Sequence, residues 1–310
     1  MEFKRRVYLM KIGVIGLGNI AQKAYLPTYS KIRDQADFIF ATRNEEVRNK
    51  LTRQYNLKKT VKSIDELIAQ NIDACFIHSA TAAHYELAKR CLANGIHVFI
   101  DKPASENLKQ VKELQLLALN QSKILMIGFN RRFAPMVNRL KNVKNKRIIS
   151  LQKNRVNAIN DTRFVIYDLF IHLVDTAVYM LDDKILKSDS KLIQTDGKLE
   201  MITVTMETAK TLVNLTMDLN SGSNQELYEV TSSTGTYVLE NLTKLKIYQE
   251  NSTETLSFDD WDNPLYVRGF EQMVSNFITS VKITTSSDLR QRNVYLSHKI
   301  CDEIINKIQQ

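Results

Sequence analysis

Gly16-Leu17-Gly18-Asn19-Ile20-Ala21 fits G-x-G-x-x-A directly after a short apolar run, Lys11 to Ile15. This spacing suits a phosphate-bearing ligand. The first glycine permits a tight turn, and the second lets the backbone approach a pyrophosphate. The small Ala21 lets the next helix lie close to the strand, and the helix N-terminus attracts the anion. Glycine pairs also occur by chance in turns, so the string has force only where it joins a strand to a helix. Ala41-Thr42-Arg43-Asn44 then stands where an NAD site places a carboxylate for the ribose hydroxyls. A carboxylate would repel a 2′-phosphate, whereas Arg43 can pair with one and Thr42 can donate its hydroxyl. NADP is therefore favoured, with NAD as the alternative. Lys102, in Ile100-Asp101-Lys102-Pro103, can hold a substrate hydroxyl and stabilise a developing alkoxide. Asp168, His172 and Asp175 recur at spacings of four and three, which puts them on one face of a helix. A histidine titrates near neutral pH, so His172 can take or return a hydroxyl proton, with Asp168 one turn away to orient the ring. The plainer readings are a surface arginine, a solvated lysine and a core histidine.

These residues need elements to hold them. Up to about residue 125 the chain alternates apolar runs with helical stretches. The runs are Lys11 to Ile15, Asp37 to Thr42, Asp73 to Ile77, His97 to Ile100 and Ile124 to Gly128. Between them lie helical patterns from Asn19, over Glu45 to Tyr55, Asp65 to Gln70, His84 to Ala93 and Leu108 to Asn120. Buried runs separated by helices specify a doubly wound parallel sheet, an α/β domain over residues 1–128. After Gly128 the rhythm changes. Arg147 to Val156 is extended, Thr162 to Leu181 is helical, and Lys191 to Phe258 alternates with turns at Asp196-Gly197, Ser221-Gly222 and Thr234-Gly235. Helices are expected over about 265–281 and 288–308. Residues 129–310 thus read as an α+β domain with a largely antiparallel sheet, whose outer face is a candidate self-association surface.

Composition sets bounds. At 310 residues, 44% hydrophobic and 25% charged, the chain suits a globular protein of two domains. The net charge of +9 is spread along the sequence. Its one dense run, Lys141 to Arg147, reads as a solvated basic loop, so nucleic acid is not expected as a partner. Cys75, Cys91 and Cys301 form no C-x-x-C pair and read as buried reduced thiols. No run reaches the apolar length of a membrane span, and the basic segment MEFKRRVYLM lacks the core of a signal peptide, so a cytoplasmic location is expected. Residues 1–10 read as an extension before the fold begins. No Cys/His cluster or G-x-S-x-G occurs, so neither a metal nor serine hydrolysis is expected.

Taken together, Gly16 to Ala21, Ile100 to Pro103, and Asp168 with His172 and Asp175 resemble the Gfo/Idh/MocA oxidoreductases, and Asp73 to Glu86 fits the same pattern. The likeness is nearest to MviM-type members in Gly16 to Ala24 and Gly128 to Pro135. It implies a Rossmann domain and hydride transfer between NAD(P) and a hydroxyl or carbonyl carbon, often of a sugar or cyclitol. It also implies a homodimer or homotetramer acting on a small molecule. Carried over by position, the catalytic trio is Lys102, Asp168 and His172. The implied cofactor set adds Ser79, Thr81, His84, Asp101, Lys102 and Pro103 to the residues of the glycine turn, Thr42 and Arg43, with Asn130 and Arg131 at the domain junction. The histidine positions are not equal. His84 matches a family position but reads as structural, and His78, His97 and His298 carry no partner pattern. The chain departs from the family at Asp101, where Glu is usual, and at Ser79-Ala80-Thr81, where T-P-N is common. Phe164 to Tyr167 replaces a glycine-rich approach, which implies a bulkier, more apolar pocket. The alternative is a catalytically silent dinucleotide-binding regulator with the same fold.

Overall fold

Buried apolar runs pair side by side because each hides both faces. In the computed structural model, which describes residues 9–283 and 289–308, six strands form a wholly parallel sheet. They are β1 (Met10–Ile15), β2 (Ala36–Ala41), β3 (Thr60–Val61), β4 (Ala74–Ile77), β5 (His97–Asp101) and β6 (Leu125–Gly128). Their order is β3-β2-β1-β4-β5-β6, so the strand order reverses between β1 and β4. In an open α/β sheet the carboxyl ends of the strands at that reversal are where ligands gather. A wide π-helical turn, Ala21–Tyr25, leads into α1 (Leu26–Lys31). The other connections carry α2 (Glu45–Tyr55), α3 (Ile64–Ile68), α4 (Thr81–Ala93) and α5 (Leu108–Asn120). Every residue of β4 is buried, as expected for a strand covered on both faces. Residues 1–8, most of the expected extension, lie outside the described residues.

The second sheet has nine strands among the described residues. After α6 (Pro135–Asn142) come β7 (Lys146–Asn154), β8 (Asn160–Asp161), β9 (Lys187–Thr195), β10 (Lys198–Glu207) and β11 (Leu212–Asp218). They are followed by β12 (Gln225–Ser232), β13 (Gly235–Glu240), β14 (Lys244–Gln249) and β15 (Ser252–Ser257). Only β7 and β11 pair in parallel. Along β10, Leu199, Ile202, Val204 and Met206 are buried and their neighbours are not, the alternation of a sheet with one covered face. Between β8 and β9 run α7 (Thr162–Val165), a second π-helical turn over Ile166–Phe170, and α8 (Ile171–Met180). The run Lys141 to Arg147 is not a solvated loop. Lys146 is only 5% exposed and its Nζ lies 2.7 Å from Asp182 Oδ2, with Lys141 Nζ 2.6 Å from Oδ1. A single carboxylate draws both ammonium groups in.

The chain ends in α9 (Pro264–Val267), α10 (Phe270–Ile283) and α11 (Val294–Ile308), not in two helices. Gly269 ends the first at φ +82°, and a Cβ there would collide with the Asn130 carbonyl. The second expected helix begins at Val294, and its expected start at 288 lies outside the described residues. Two compact units result: the residues up to Gly128 with Met273–Arg290, and Phe129–Gln272 with those from Gln291 on. The sequence reading put 273–290 in the second domain. Its place in the first follows from Phe277, whose buried ring meets Phe76 at 5.0 Å and Phe99 at 5.7 Å edge-on.

Candidate dinucleotide site and associated residues

The two glycines after β1 serve different needs. Gly16 sits at φ +93°, and a Cβ there would run into the Ser79 amide and lie 2.6 Å from the His78 carbonyl carbon. The fold itself requires that glycine. A Cβ on Gly18 would meet no protein atom within 4 Å. Its backbone φ is not in the left-handed range either. Packing therefore does not explain Gly18, whereas a phosphate lying against the bare backbone does. Asn19 and Ile20 are exposed beyond it, and Ala21 is fully buried where the helix meets the sheet. The glycine turn opens on a cleft of about 860 Å3 lined by Gly16, Gly18, Thr42, Arg43 and Ser79, together with Lys62. Ligand clefts usually measure some 300–1,000 Å3, so the residues present fit a dinucleotide.

The three residues after β2, Thr42 to Asn44, include no carboxylate. Asn44 is used as a cap, its Oδ1 accepting the Val47 N–H at 3.0 Å, and Arg48 Nη1 donates to the Thr42 carbonyl at 3.0 Å. That leaves the Thr42 hydroxyl and the exposed Arg43 guanidinium toward the cleft. The sequence reading passed over Lys62 and Ser63, which also line it. A signal existed. Ser63-Ile64-Asp65-Glu66 has the S-x-x-E spacing of a helix start: Ser63 Oγ caps α3 by accepting the Glu66 N–H at 3.2 Å, and Glu66 Oε2 accepts the N–H of Lys62, just before the cap, at 2.9 Å. It fixes where α3 starts and hence where Lys62 stands.

At the end of β5 a buried polar chain emerges. The Tyr25 hydroxyl donates to Asp101 Oδ1 at 2.5 Å, and His78 Nδ1 lies 2.8 Å from Asp101 Oδ2. His78 Nε2 meets the Tyr29 hydroxyl at 2.8 Å. Burial would raise the Asp101 carboxyl, but the His78 charge and the hydrogen bonds from His78 and Tyr25 outweigh it and hold it below the usual carboxylate range. Burial, reinforced by Asp101, pushes the Tyr25 hydroxyl well up, so it stays a donor. His78 thus has two partners where the sequence suggested none. Asp101 in this way is tied down next to Lys102, which is half-buried and joined to Pro103 by a cis peptide bond. His84 lies between two loops, Nδ1 2.8 Å from the Pro103 carbonyl and Nε2 2.9 Å from that of Ser79. Burial lowers its pKa, while the two carbonyl oxygens, which can only accept, favour a ring that carries both N–H groups. Thr81 opens α4 beside it.

In the second unit a π-helical turn interrupts the helical segment that carries Asp168, His172 and Asp175. The π-helical turn holds Asp168, and its closing hydrogen bond runs from the Ile171 N–H to the Ile166 carbonyl, which shifts the register just before His172. Asp168 and His172 are half-buried. Asp175 is 1% exposed and takes both Arg132 Nε and Nη2, at 2.8 and 2.7 Å, plus the Ser297 hydroxyl at 2.8 Å. It anchors α8. Asn130 and Arg131 are also buried in this unit. Asn130 Nδ2 donates to the Arg268 carbonyl at 2.8 Å. Arg131 forks onto Glu226 at 2.6 and 2.9 Å, an ion pair that holds the carboxyl far below its ordinary value against the cost of burial.

Comparison with known proteins adds independent findings. Residues 10–129 match the profile of an oxidoreductase family with an NAD-binding Rossmann fold, and 135–250 match the YceM-like C-terminal domain. A solved dehydrogenase, MviM from Clostridium difficile, superposes with a TM-score of 0.90 at 31% identity, over 96% of this chain and 99% of that one. The YceM protein of Salmonella typhimurium is 28% identical over 305 residues, covering 95% of this chain and 97% of its own. The myo-inositol 2-dehydrogenase of Thermotoga maritima is 34% identical over 133 residues, covering 43% of this chain and 40% of its own.

Proposed function

The chain belongs to the Gfo/Idh/MocA family of oxidoreductases, with an NAD-binding Rossmann fold at its N-terminus, and on that premise we propose that it transfers a hydride between NADP and a carbinol or carbonyl carbon of a small polyhydroxylated molecule. The observation that carries the reading is the bare backbone at Gly18, where a side chain would have free room and none is present. Gly16 and Gly18 hold the pyrophosphate against the start of the helix, and Arg43 with Thr42 receives the 2′-phosphate. Hydride donation or acceptance is the chemistry that a bound nicotinamide would supply. Lys102 holds the reacting oxygen and stabilises negative charge on it. His172 takes the hydroxyl proton in oxidation and returns it in reduction, with Asp168 orienting it. Asp101, fixed by Tyr25 and His78, positions the backbone from which Lys102 extends. A polyol or cyclitol substrate is supported by the relative named myo-inositol 2-dehydrogenase.

Replacing Lys102 by Met tests this assignment. In a screen of polyols and their ketones, the wild type should turn over with NADP(H). Lys102→Met should lose about a hundredfold or more in turnover while binding NADPH as before. A wild type that binds NADPH but turns over no member of the screen would favour the regulator that shares this fold.

A further inference from the structure

Where β7 ends, β12 begins and β13 turns into β14, the second unit has a cleft of about 320 Å3. It is lined by Arg155, Asn224, Glu226, Asn241 and Arg268, none of which the proposed hydride transfer uses. The two amides are oriented by the backbone. Asn224 Oδ1 accepts the Val156 N–H at 3.2 Å, and Asn241 Oδ1 accepts the Glu226 N–H at 2.9 Å. Only the carbonyl end of an amide can accept, so each NH2 is the end available to the cleft. Arg155 gives Nη1 to the Asn154 carbonyl at 2.8 Å. Among the described residues, neither Arg155 nor Arg268 forms an ion pair with a carboxylate.

Glu226 does not neutralise them. Its two oxygens are held by Arg131 at 2.6 and 2.9 Å, and the Tyr228 hydroxyl also donates to Oε1. Lys153, buried nearby, acts on the same carboxylate. The cleft therefore presents donors and uncompensated positive charge around one carboxylate that is already engaged. We propose that it binds a phosphoryl group, the doubly charged oxyanion of a phosphorylated small molecule. Two guanidinium forks and two amide NH2 groups offer donors to three phosphate oxygens, and the two free cations match a dianion better than a carboxylate's single charge. All five residues belong to the second unit, so the proposal stands whatever the first unit binds.

Calorimetric titration of the full chain with inorganic phosphate, and separately with acetate, tests it. Phosphate should bind saturably, and Arg155→Gln and Arg268→Gln should each weaken it on the order of tenfold or more. Asn241→Asp keeps the acceptor that the Glu226 N–H needs and replaces a donor by a negative charge, so it should abolish binding without unfolding the protein. Three results would each overturn the assignment: no saturable phosphate binding, equal binding by all three variants, or acetate binding as tightly as phosphate.

Discussion

Gly16 and Gly18 look alike in sequence and differ in what they do. Gly16→Ala places a side chain at φ +93° against the Ser79 amide, and should cost roughly 1–3 kcal/mol in urea unfolding. Gly18→Val fills space that no protein atom occupies. It should leave stability within about 0.5 kcal/mol yet weaken NADPH binding severely; a fold as damaged as by Gly16→Ala would place the need for glycine in packing. A second residue-scale prediction concerns His97. Its Nδ1 accepts the Ile124 N–H at 3.0 Å, which requires the neutral ring, and burial lowers its pKa from 6.5 to about 4. As pH falls below 6.5 the unfolded chain takes the proton first. The stabilisation from a neutral ring is thus complete above pH 6.5 and is lost progressively down to about 4. His97→Asn, which keeps an acceptor but cannot titrate, should show a flatter stability profile over that window than the wild type, and an identical slope would refute the assignment. The glycine turn and Lys102 were legible because short-range patterns carry them. The Tyr25–Asp101–His78–Tyr29 chain was not, because it joins residues up to 76 positions apart through pairings that only the sheet order creates.

At the scale of elements, periodicity found most of the strands and helices but missed β3 and α6, and it did not show the interruptions. The π-helical turn before α8 leaves the apolar pattern of Thr162 to Leu181 unbroken, so spacing placed Asp168, His172 and Asp175 on one face. The π-helical turn adds winding before His172, and the buried Arg132 takes up Asp175. Gly269 gave a faint sign of the break before α10, since apolar residues continue on both sides. The place of α10 was not legible at all: Phe277 looks like any core residue until Phe76 and Phe99 are seen against it. Phe277→Ala should cost about 3–5 kcal/mol. The loss should appear in the unit that carries the glycine turn, as faster hydrogen exchange across β4 and β5. Exchange that rises only in the nine-stranded sheet would contradict this.

For the whole molecule, the change of rhythm at Gly128 marked where the first sheet ends, and alternation along β10 identified the one-sided second sheet. What sequence did not reveal is that charge is placed by partners that lie far along the chain. Arg131 and Glu226 are 95 positions apart and Arg132 and Asp175 are 43, and both pairs are buried. The net charge of +9 therefore says little until each cation's partner is known. Arg43 is exposed at the cleft and follows a strand that ends without a carboxylate, and on the proposed reading it is the cation on which cofactor choice rests. Side-by-side fluorescence titrations with NADPH and NADH measure that choice directly, with Arg43→Ser as the control. NADPH should bind far more tightly than NADH, and Arg43→Ser should remove most of the difference. Equal or preferential binding of NADH would contradict the NADP assignment, and binding of neither would contradict the dinucleotide site itself.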